Sequence, residues 1–216
     1  MARTDSLTRK KILNAAIGIF AAHGLKGATI QKVGRAAGVN SALLYYYFED
    51  KDTLFNEALR HVLSEFLDSL ERRPREFSSA RERIEFLAAG IASYHEAHPE
   101  RFRLILVAIS MHQDRFLKAL RKFIEGRKSL VPLDVLREGQ ERGEIRPGHP
   151  LFLWWSILGA SIFSLEMANL AGELAGSVPL PPVPDPAARR ALLADFLERG
   201  LSATPSPNET EPPHVP

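Results

Sequence analysis

The chain has 216 residues, of which 45% are hydrophobic and 25% are charged, so it is long enough to bury a substantial core. Its formal net charge of +2 makes the chain as a whole neither strongly basic nor strongly acidic. It contains no cysteine, which excludes disulfide frameworks, thiolate metal sites and cysteine nucleophiles. The N-terminus is polar and has no apolar stretch of the signal-peptide kind, so we expect a cytoplasmic protein.

Positive charge is concentrated near the N-terminus. Residues 1–51 contain eight Lys and Arg against three Asp and Glu, a net charge of +5, and leave 20 basic and 23 acidic residues for the rest of the chain. A basic segment on a mildly acidic body predicts that a polyanion binds the first segment only.

Helical signals follow one another along the chain. Candidate N-caps and first-turn prolines mark the starts of the predicted helices at Thr8, Thr29, Asp50, Ser79, Pro99, Asp114, Pro150 and Asp185. The helix that begins at Asp114 is expected to run to about Arg142, and the helix from Pro150 to about Gly176. No segment alternates with the period of two that a half-buried strand requires, so the sequence predicts an all-α fold.

Proline is distributed unevenly. Ten of the 15 prolines lie in two clusters, Pro179 to Pro186 and Pro205 to Pro216. Because proline cannot continue a helix, we expect the first cluster to be an extended linker. The second cluster lies in a polar Pro-rich tail, residues 201–216, that we expect to be disordered.

The segment that starts at Thr29 has the spacing of a helix-turn-helix. Apolar residues stand where they would close a small core between two crossing helices, at Ile30, Val33, Ala37, Val39, Leu44 and Tyr47. Gly34 lets the second helix approach closely, and Gly38 can adopt the left-handed conformation that a Cβ disfavours. An ordinary helical hairpin with a glycine turn is the alternative, but it does not require all of these positions at once.

The segment 29–55 resembles the TetR family of transcriptional regulators. The signature formed by Tyr45, Phe48 and Lys51 is especially specific. The first helix is similar to that family's first helix as well, so the resemblance covers about residues 8–60.

The resemblance implies a division of the chain into three parts. Residues 1–51 would form a three-helix helix-turn-helix DNA-binding domain, and residues 52–200 a helical ligand-binding and dimerisation domain, followed by the tail at 201–216. The chain departs from the family pattern at Ala42 and Leu43, where Gly and Thr are common, and these positions read bases. We therefore expect these departures to bear on the operator sequence rather than on the activity.

The residues of the motif have the chemistry for reading DNA. Asn40 can cap the recognition helix, and Ser41 can form hydrogen bonds with base edges of several kinds. Ala42 and Leu43 suit apolar contact with thymine methyl groups, and the amide of Gln31 can pair with adenine.

Phosphate contacts are expected from hydroxyl and ammonium groups around the motif. They are Thr29, Tyr45, Tyr46, Tyr47 and Lys51, with nonspecific attraction added by Lys32. Tyr47 shares a helix face with Leu44, so packing into the small core is the alternative for this tyrosine.

The most apolar stretch of the chain is Leu151 to Leu165. A transmembrane span is one alternative, but polar residues follow at Glu166 before the roughly 20 residues that a span requires. A buried helix that also forms a subunit interface fits better, and we expect no membrane partner. The resemblance implies that the last two helices form a four-helix bundle with the same pair of a second copy.

A pocket for a ligand is expected among the middle helices. The candidate lining residues are Tyr94, Phe102, Ile105, Met111, Phe116, Trp155 and Phe163, with packing in the core as the alternative for each. His95, His98 and His112 lack carboxylate or thiolate partners at ligand spacing, so we expect no metal site.

These observations together predict a dimeric, ligand-responsive repressor that binds a palindromic DNA operator and is released by a small apolar or amphipathic molecule. The sequence has no Gly-rich phosphate loop and no nucleophile elbow, so we expect neither an enzyme nor a cofactor. The alternative is a helical DNA-associated protein, in chromosome organisation or division control, without a small-molecule effector.

Overall fold

The computed structural model describes residues 2–71, 76–125, 127, 130–174 and 182–203. Ten α-helices make up most of this part of the chain: Ala2–Gly27 (α1), Ile30–Ala37 (α2), Ser41–Tyr47 (α3), Lys51–Ser69 (α4), Ala80–Ala97 (α5), Pro99–Met111 (α6), Gln113–Ile124 (α7), Val131–Glu141 (α8), Pro150–Leu174 (α9) and Pro186–Leu201 (α10). An isolated antiparallel bridge pairs Ile145 with Ser202. The prediction of an all-α fold is confirmed.

Two predicted helix boundaries were wrong. The helix expected to run from Asp114 to about Arg142 is divided into α7 and α8, with Pro132 in the first turn of α8. A proline ring is tolerated there but clashes with a preceding helical turn, so one continuous helix is not possible. At the N-terminus, α1 begins at Ala2, so Thr8 lies inside the helix rather than at its cap.

The two proline-rich segments are described only in part. Residues 182–185 precede α10 without forming a helix. Residues 175–181, and residues 204–216 of the tail, lie outside the described residues. Leu201 ends α10 and Ser202 pairs with Ile145, so the first residues of the predicted tail are ordered. The extended linker and disorder over residues 204–216 stay predictions.

By their contacts, the described residues group into two compact units. The N-terminal unit is drawn from residues 1–71 and 93–128, and the C-terminal unit from residues 72–92 and 129–216. The expected functional division at residue 51 remains a prediction.

In the N-terminal unit, α1 packs against α2, α4 and α6. Phe20 of α1 and Phe55 of α4 are fully buried, and their ring centroids lie 5.0 Å apart in an edge-to-face arrangement. Phe66 makes the same kind of contact with Phe102, at 5.1 Å. Each fully buried phenylalanine contributes about 1.5–3 kcal/mol through its removal from water, so these pairs fix α4 against α1 and α6.

The C-terminal unit contains a fully buried arginine. Arg83 of α5 donates from Nε to a carboxylate oxygen of Glu144 at 2.7 Å and from Nη1 to the carbonyl oxygen of Val135 at 3.4 Å. A second carboxylate, that of Glu138, lies 3.5 Å from Nη1. The guanidinium also covers the ring of Phe77, 5.0 Å from its centroid. Arg83 therefore ties α5 to α8 and to the segment after it.

The absence of a side chain at Gly139 makes room for the side chain of Arg83. A Cβ at Gly139 would lie 2.9 Å from Cδ of Arg83 and 2.7 Å from Cδ1 of Ile145. The Ile145 segment in turn holds the end of α10, because the N–H of Arg146 donates to the carbonyl oxygen of Leu201 at 2.8 Å. The buried cation and the last helix are thus parts of one packed arrangement.

One helix of the C-terminal unit is apolar and mostly exposed. Within the described part of the chain, α9 is the one helix long and apolar enough to cross a membrane by length and composition. Only 22% of its most apolar stretch is buried, however. Trp154, Ile157 and Ile162 are buried, whereas Phe152 and Phe163 are about two-thirds exposed. One face of α9 is therefore packed and the other is apolar but uncovered.

We predict that the buried ion pair makes Glu144 unusually sensitive to substitution. Glu144→Ala should lower the free energy of unfolding by about 3 kcal/mol, because it leaves the Arg83 guanidinium buried with only the more distant Glu138. Arg83→Met, which removes the charge itself, should cost less. Urea titrations followed by circular dichroism measure both values.

The control for this prediction is Glu85→Ala, which removes one of the two carboxylate partners of the half-exposed Arg81. Because exposed ion pairs contribute little, this variant should stay within about 0.5 kcal/mol of the unmodified protein. Equal destabilisation by Glu144→Ala and Glu85→Ala would contradict a structural role for the buried pair.

Candidate nucleic-acid interface

The turn between α2 and α3 has the geometry of a helix-turn-helix. Gly38 lies in the left-handed region, with φ 63° and ψ 39°, and its N–H donates to the carbonyl oxygen of Arg35 at 3.2 Å. The next N–H, that of Val39, donates to the carbonyl oxygen of Gly34 at 2.9 Å. These bonds satisfy the last carbonyl groups of α2 while the chain reverses.

At Gly34, α2 lies close both to the turn and to α3. A Cβ at this position would lie 2.9 Å from the carbonyl oxygen of Val39 and 3.1 Å from Cδ1 of Leu44. Leu44 is fully buried and anchors α3 against α2. The roles expected for the two glycines and for Leu44 therefore agree with the structure.

Each helix of the motif begins with a side-chain cap. The hydroxyl oxygen of Thr29 accepts from the N–H of Lys32 at 3.2 Å. The side-chain oxygen of Asn40 accepts from the N–H of Leu43 at 2.8 Å. Asp50 caps α4 by accepting from the N–H of Thr53, and that hydrogen bond holds the pKa of Asp50 below its ordinary value. These caps fix where α2, α3 and α4 begin.

The predicted DNA-contacting residues lie mostly on the outside of the motif. Thr29, Gln31, Lys32, Asn40, Ala42, Tyr45 and Tyr46 are exposed, and Ser41, Leu43, Tyr47 and Lys51 are partly exposed. Tyr45 and Tyr46 expose 54% and 73% of their surface, so both hydroxyl groups can reach a ligand outside the protein. The ring of Tyr47 packs edge-to-face on Tyr46 with centroids 5.1 Å apart.

The two lysines of the predicted interface hold the segment before α2. The Nζ of Lys51 donates to the carbonyl oxygen of Ala28, and the Nζ of Lys32 to that of Gly27, both at 3.1 Å. An ammonium group has three donors, so each lysine keeps donors for a phosphate while its position is fixed by the backbone. Sequence reasoning missed these carbonyl contacts.

Ion pairs connect the interface to α4 and α7. A guanidinium nitrogen of Arg9 contacts a carboxylate oxygen of Glu57, and the same guanidinium lies 5.0 Å from the ring centroid of Phe48. Arg115 of α7 contacts Asp52, one residue after Lys51. The two residues of each pair are far apart in the sequence, so no local sequence pattern predicts these contacts.

The candidate ligand-lining residues occupy different environments. Tyr94, Phe102 and Ile105 are buried in the N-terminal unit, where the Tyr94 hydroxyl donates to the carbonyl oxygen of Val62 at 3.4 Å. Burial raises the pKa of Tyr94 well above its ordinary value. In the same unit Met111 is exposed and Phe116 partly exposed, and in the C-terminal unit Trp155 and Phe163 are exposed. Their assignment to one pocket stays a prediction.

The histidines pack on aromatic rings. His95 and His98 contact the rings of Phe102 and Tyr94, and His112 contacts Phe55 at 5.3 Å. Burial and the charge of Arg115 lower the pKa of His112. In the described residues, no three His, Cys, Asp or Glu side chains lie together in a way that could hold a metal ion.

Comparison with known proteins relates this motif to a family. Residues 12–58 match the model of bacterial regulatory proteins of the tetR family. The repressor SCO4008 of Streptomyces coelicolor is 30% identical over 151 residues, which cover 69% of this chain and 73% of that protein. The repressor NicS of Pseudomonas putida is 28% identical over 141 residues, which cover 64% of this chain and 66% of that protein.

A solved structure supports the same fold for most of the chain. The transcriptional regulator FadR of Bacillus subtilis, solved in complex with stearoyl-CoA, superposes with a TM-score of 0.64 at 17% identity. The match covers 88% of this chain and 98% of FadR. The predicted resemblance is confirmed, and so is the expectation that the chain is a regulator and not an enzyme. With its helix-turn-helix, the chain belongs to the tetR family of bacterial regulatory proteins, whose members bind DNA to control transcription.

Proposed function

We propose that the protein is a cytoplasmic repressor that binds a palindromic DNA operator as a homodimer and is released by a small apolar or amphipathic ligand. The orientation of α3 is the observation that best supports DNA binding. Leu44 is fully buried, so the opposite face, with Ala42, Tyr45 and Tyr46, is turned outward. Both curated relatives described above are named repressors, which supports repression over activation.

The exposed groups divide into two classes of DNA contact. Gln31, Ser41, Ala42 and Leu43 would face base edges in the major groove. A second set would contact phosphates and give affinity without sequence preference, namely Thr29, Lys32, Tyr45, Tyr46, Tyr47 and Lys51. Two such motifs in a symmetric dimer would bind two half-sites about one helical turn apart, which makes the operator palindromic.

We predict different effects for the two classes. Lys51→Ala should weaken binding to every duplex by a similar factor and reduce the slope of log affinity against log salt by about one, since one phosphate contact is lost. Gln31→Ala and Ser41→Ala should instead relax the preference for particular bases by about 1–3 kcal/mol. Fluorescence anisotropy with an operator selected from random duplexes measures both effects across a salt series.

The control is Arg137→Ala, which removes an exposed positive charge from α8 and should leave both affinity and slope unchanged. A selection that yields no symmetric motif would count against the palindromic operator. A loss of base preference in Lys51→Ala would contradict its assignment to a phosphate.

The uncovered face of α9 and α10 supports the homodimer. Large apolar side chains are exposed along both helices, at Phe152, Trp155, Phe163, Met167, Leu170, Leu174, Leu192 and Phe196. A Cβ added at Gly159 of α9 would meet nothing within 4 Å, so another helix can approach closely there. Apolar surface of this extent is characteristic of subunit interfaces. A membrane is the other medium that could cover α9, but the packed face against α8 and α10 favours a second protein chain.

We predict that Leu192 and Phe196 hold the dimer together. Their simultaneous replacement by Asp should produce monomers, because an unpaired charge in an apolar interface costs several kcal/mol. Ala191→Asp places a negative charge on an exposed position of the same helix, about 100° around its axis from Leu192, and should leave the dimer intact. Sedimentation equilibrium at micromolar concentration measures the mass, and a monomeric unmodified protein would refute the dimer.

The fold similarity to FadR supports an amphipathic effector, because that regulator was solved with stearoyl-CoA bound. Of the candidate lining residues, Phe102, Met111 and Phe116 lie on α6 and α7 of the N-terminal unit, and we infer that the effector contacts these two helices. The contact between Arg115 and Asp52 supports a route to DNA, since it joins α7 to the first turn of α4, which follows α3 directly. Effector binding would change the orientation of α3 through α4.

We predict reciprocal coupling between effector and DNA. Long-chain acyl compounds, with stearoyl-CoA as the first probe, should raise the melting temperature and weaken operator binding about 5–150-fold. The operator must weaken acyl binding by the same factor, which calorimetry can measure. Free coenzyme A, which lacks the acyl chain, is the control. If no apolar or amphipathic compound has either effect, the alternative of a DNA-associated protein without an effector becomes the better interpretation.

A further inference from the structure

A small cavity lies between α4 and α7 on the surface of the N-terminal unit, where the two helices pack together. Its volume is about 250 Å³. Six of its lining side chains are polar donors or cations: Thr53, Asn56 and Arg60 from α4, and Arg115, Lys118 and Lys122 from α7. We call this cavity the α4–α7 groove.

The groove has more positive charge than its own carboxylates neutralise. Glu57 is the one acidic side chain in the lining, and its carboxylate is engaged by Arg9. Asp52 lies beside the groove and is engaged by Arg115, which also donates to Asn56 at 3.2 Å. Both carboxylates that could balance the lining are therefore already paired.

Three cations of the groove remain without a counter-charge. Arg60, Lys118 and Lys122 make no ion pair or hydrogen bond with any side chain in the described part of the chain. They line one concave surface, whose buried floor is Ala119. Like charges held around a cavity repel one another, and a concave low-dielectric wall concentrates their potential. This arrangement favours an anion that bridges them.

The size and donors of the groove limit the kind of anion. Pockets that enclose drug-sized ligands measure about 300–1,000 Å³, so this one suits a smaller group. A guanidinium can bind phosphate oxygens in a bidentate way, an ammonium binds them as a point charge, and the Thr53 hydroxyl and Asn56 amide can donate further. From the unneutralised Arg60, Lys118 and Lys122 around this cavity, we infer that the α4–α7 groove binds a compact phosphate-bearing anion.

Occupancy of the groove affects the start of α4. A phosphate in the groove competes with Asp52 for Arg115. Asp52 is adjacent to Lys51, so its released carboxylate lies beside a group assigned to a DNA phosphate. Occupancy therefore weakens DNA binding. This consequence rests on the proposed function, whereas binding of the anion does not.

The first experiment measures anion binding by the free protein. The probe is inorganic pyrophosphate in magnesium-free buffer, titrated calorimetrically at constant ionic strength against sodium chloride. Lys118→Gln with Lys122→Gln should weaken pyrophosphate binding by about tenfold or more, because two charge-assisted contacts are lost. Arg121→Gln is the matched control, since it removes one charge from an exposed position of α7 outside the groove.

The outcomes of this titration distinguish a specific anion-binding site from nonspecific electrostatic attraction. Selective loss in the double lysine variant supports the site, and thermal melting confirms that both variants are folded. Equal affinity in the double lysine variant and the control variant, or no heat above the chloride baseline, overturns it. Citrate is a second probe: weaker binding than that of pyrophosphate supports a phosphate site, and tighter binding overturns the choice of phosphate.

The second experiment uses a duplex selected from a random pool. At matched ionic strength, pyrophosphate should lower the affinity of the unmodified protein for this duplex by about fivefold or more and leave the double lysine variant unaffected. If pyrophosphate binds but no duplex can be selected, the proposed function fails and the groove site stands. If a duplex binds but pyrophosphate does not, the groove site fails and the proposed function stands.

Discussion

The close approach of α2 and α3 is the constraint on which the DNA-binding surface depends. Gly34 has no Cβ to separate the two helices, and Gly38 reverses the chain in the left-handed conformation. Once the backbone has turned in this way, burial of Leu44 fixes the rotation of α3 about its axis. Tyr45 and Tyr46 must then face outward. The direction of the exposed residues is therefore set by the turn and the small core rather than by the predicted DNA contacts.

The helix after the motif connects this surface to the rest of the N-terminal unit. The helix α4 is held by the contact of Phe55 with Phe20 and by ion pairs with Arg9 and Arg115. Exposed ion pairs contribute only about 0–1 kcal/mol to stability. The proposed competition for Arg115 would therefore remove little stability and leave the unit folded.

The C-terminal unit departs in two places from the usual placement of polar and apolar groups. Its interior contains the charged Arg83, paired with Glu144, whereas Phe152 and Phe196 lie on its surface. A buried arginine defines which elements must meet, because other arrangements leave it unpaired. The exposed phenylalanines indicate that the apolar core is incomplete in one copy of the chain. The proposed dimer would complete it.

The sequence by itself determined what depends on neighbouring residues. The Asn40 cap and the left-handed Gly38 followed from local rules, because a cap or a turn involves groups within about four positions. The break before α8 also has a local signal, Pro132 in the first turn of α8, which the expected helix from Asp114 to Arg142 ignores. Only the tertiary structure decided that Arg83 is buried and that Arg115 meets the first turn of α4. The partners of these two arginines, Glu144 and Asp52, lie about 60 residues away in the sequence. Which distant residues meet depends on how the helices pack, and a short sequence pattern does not predict that.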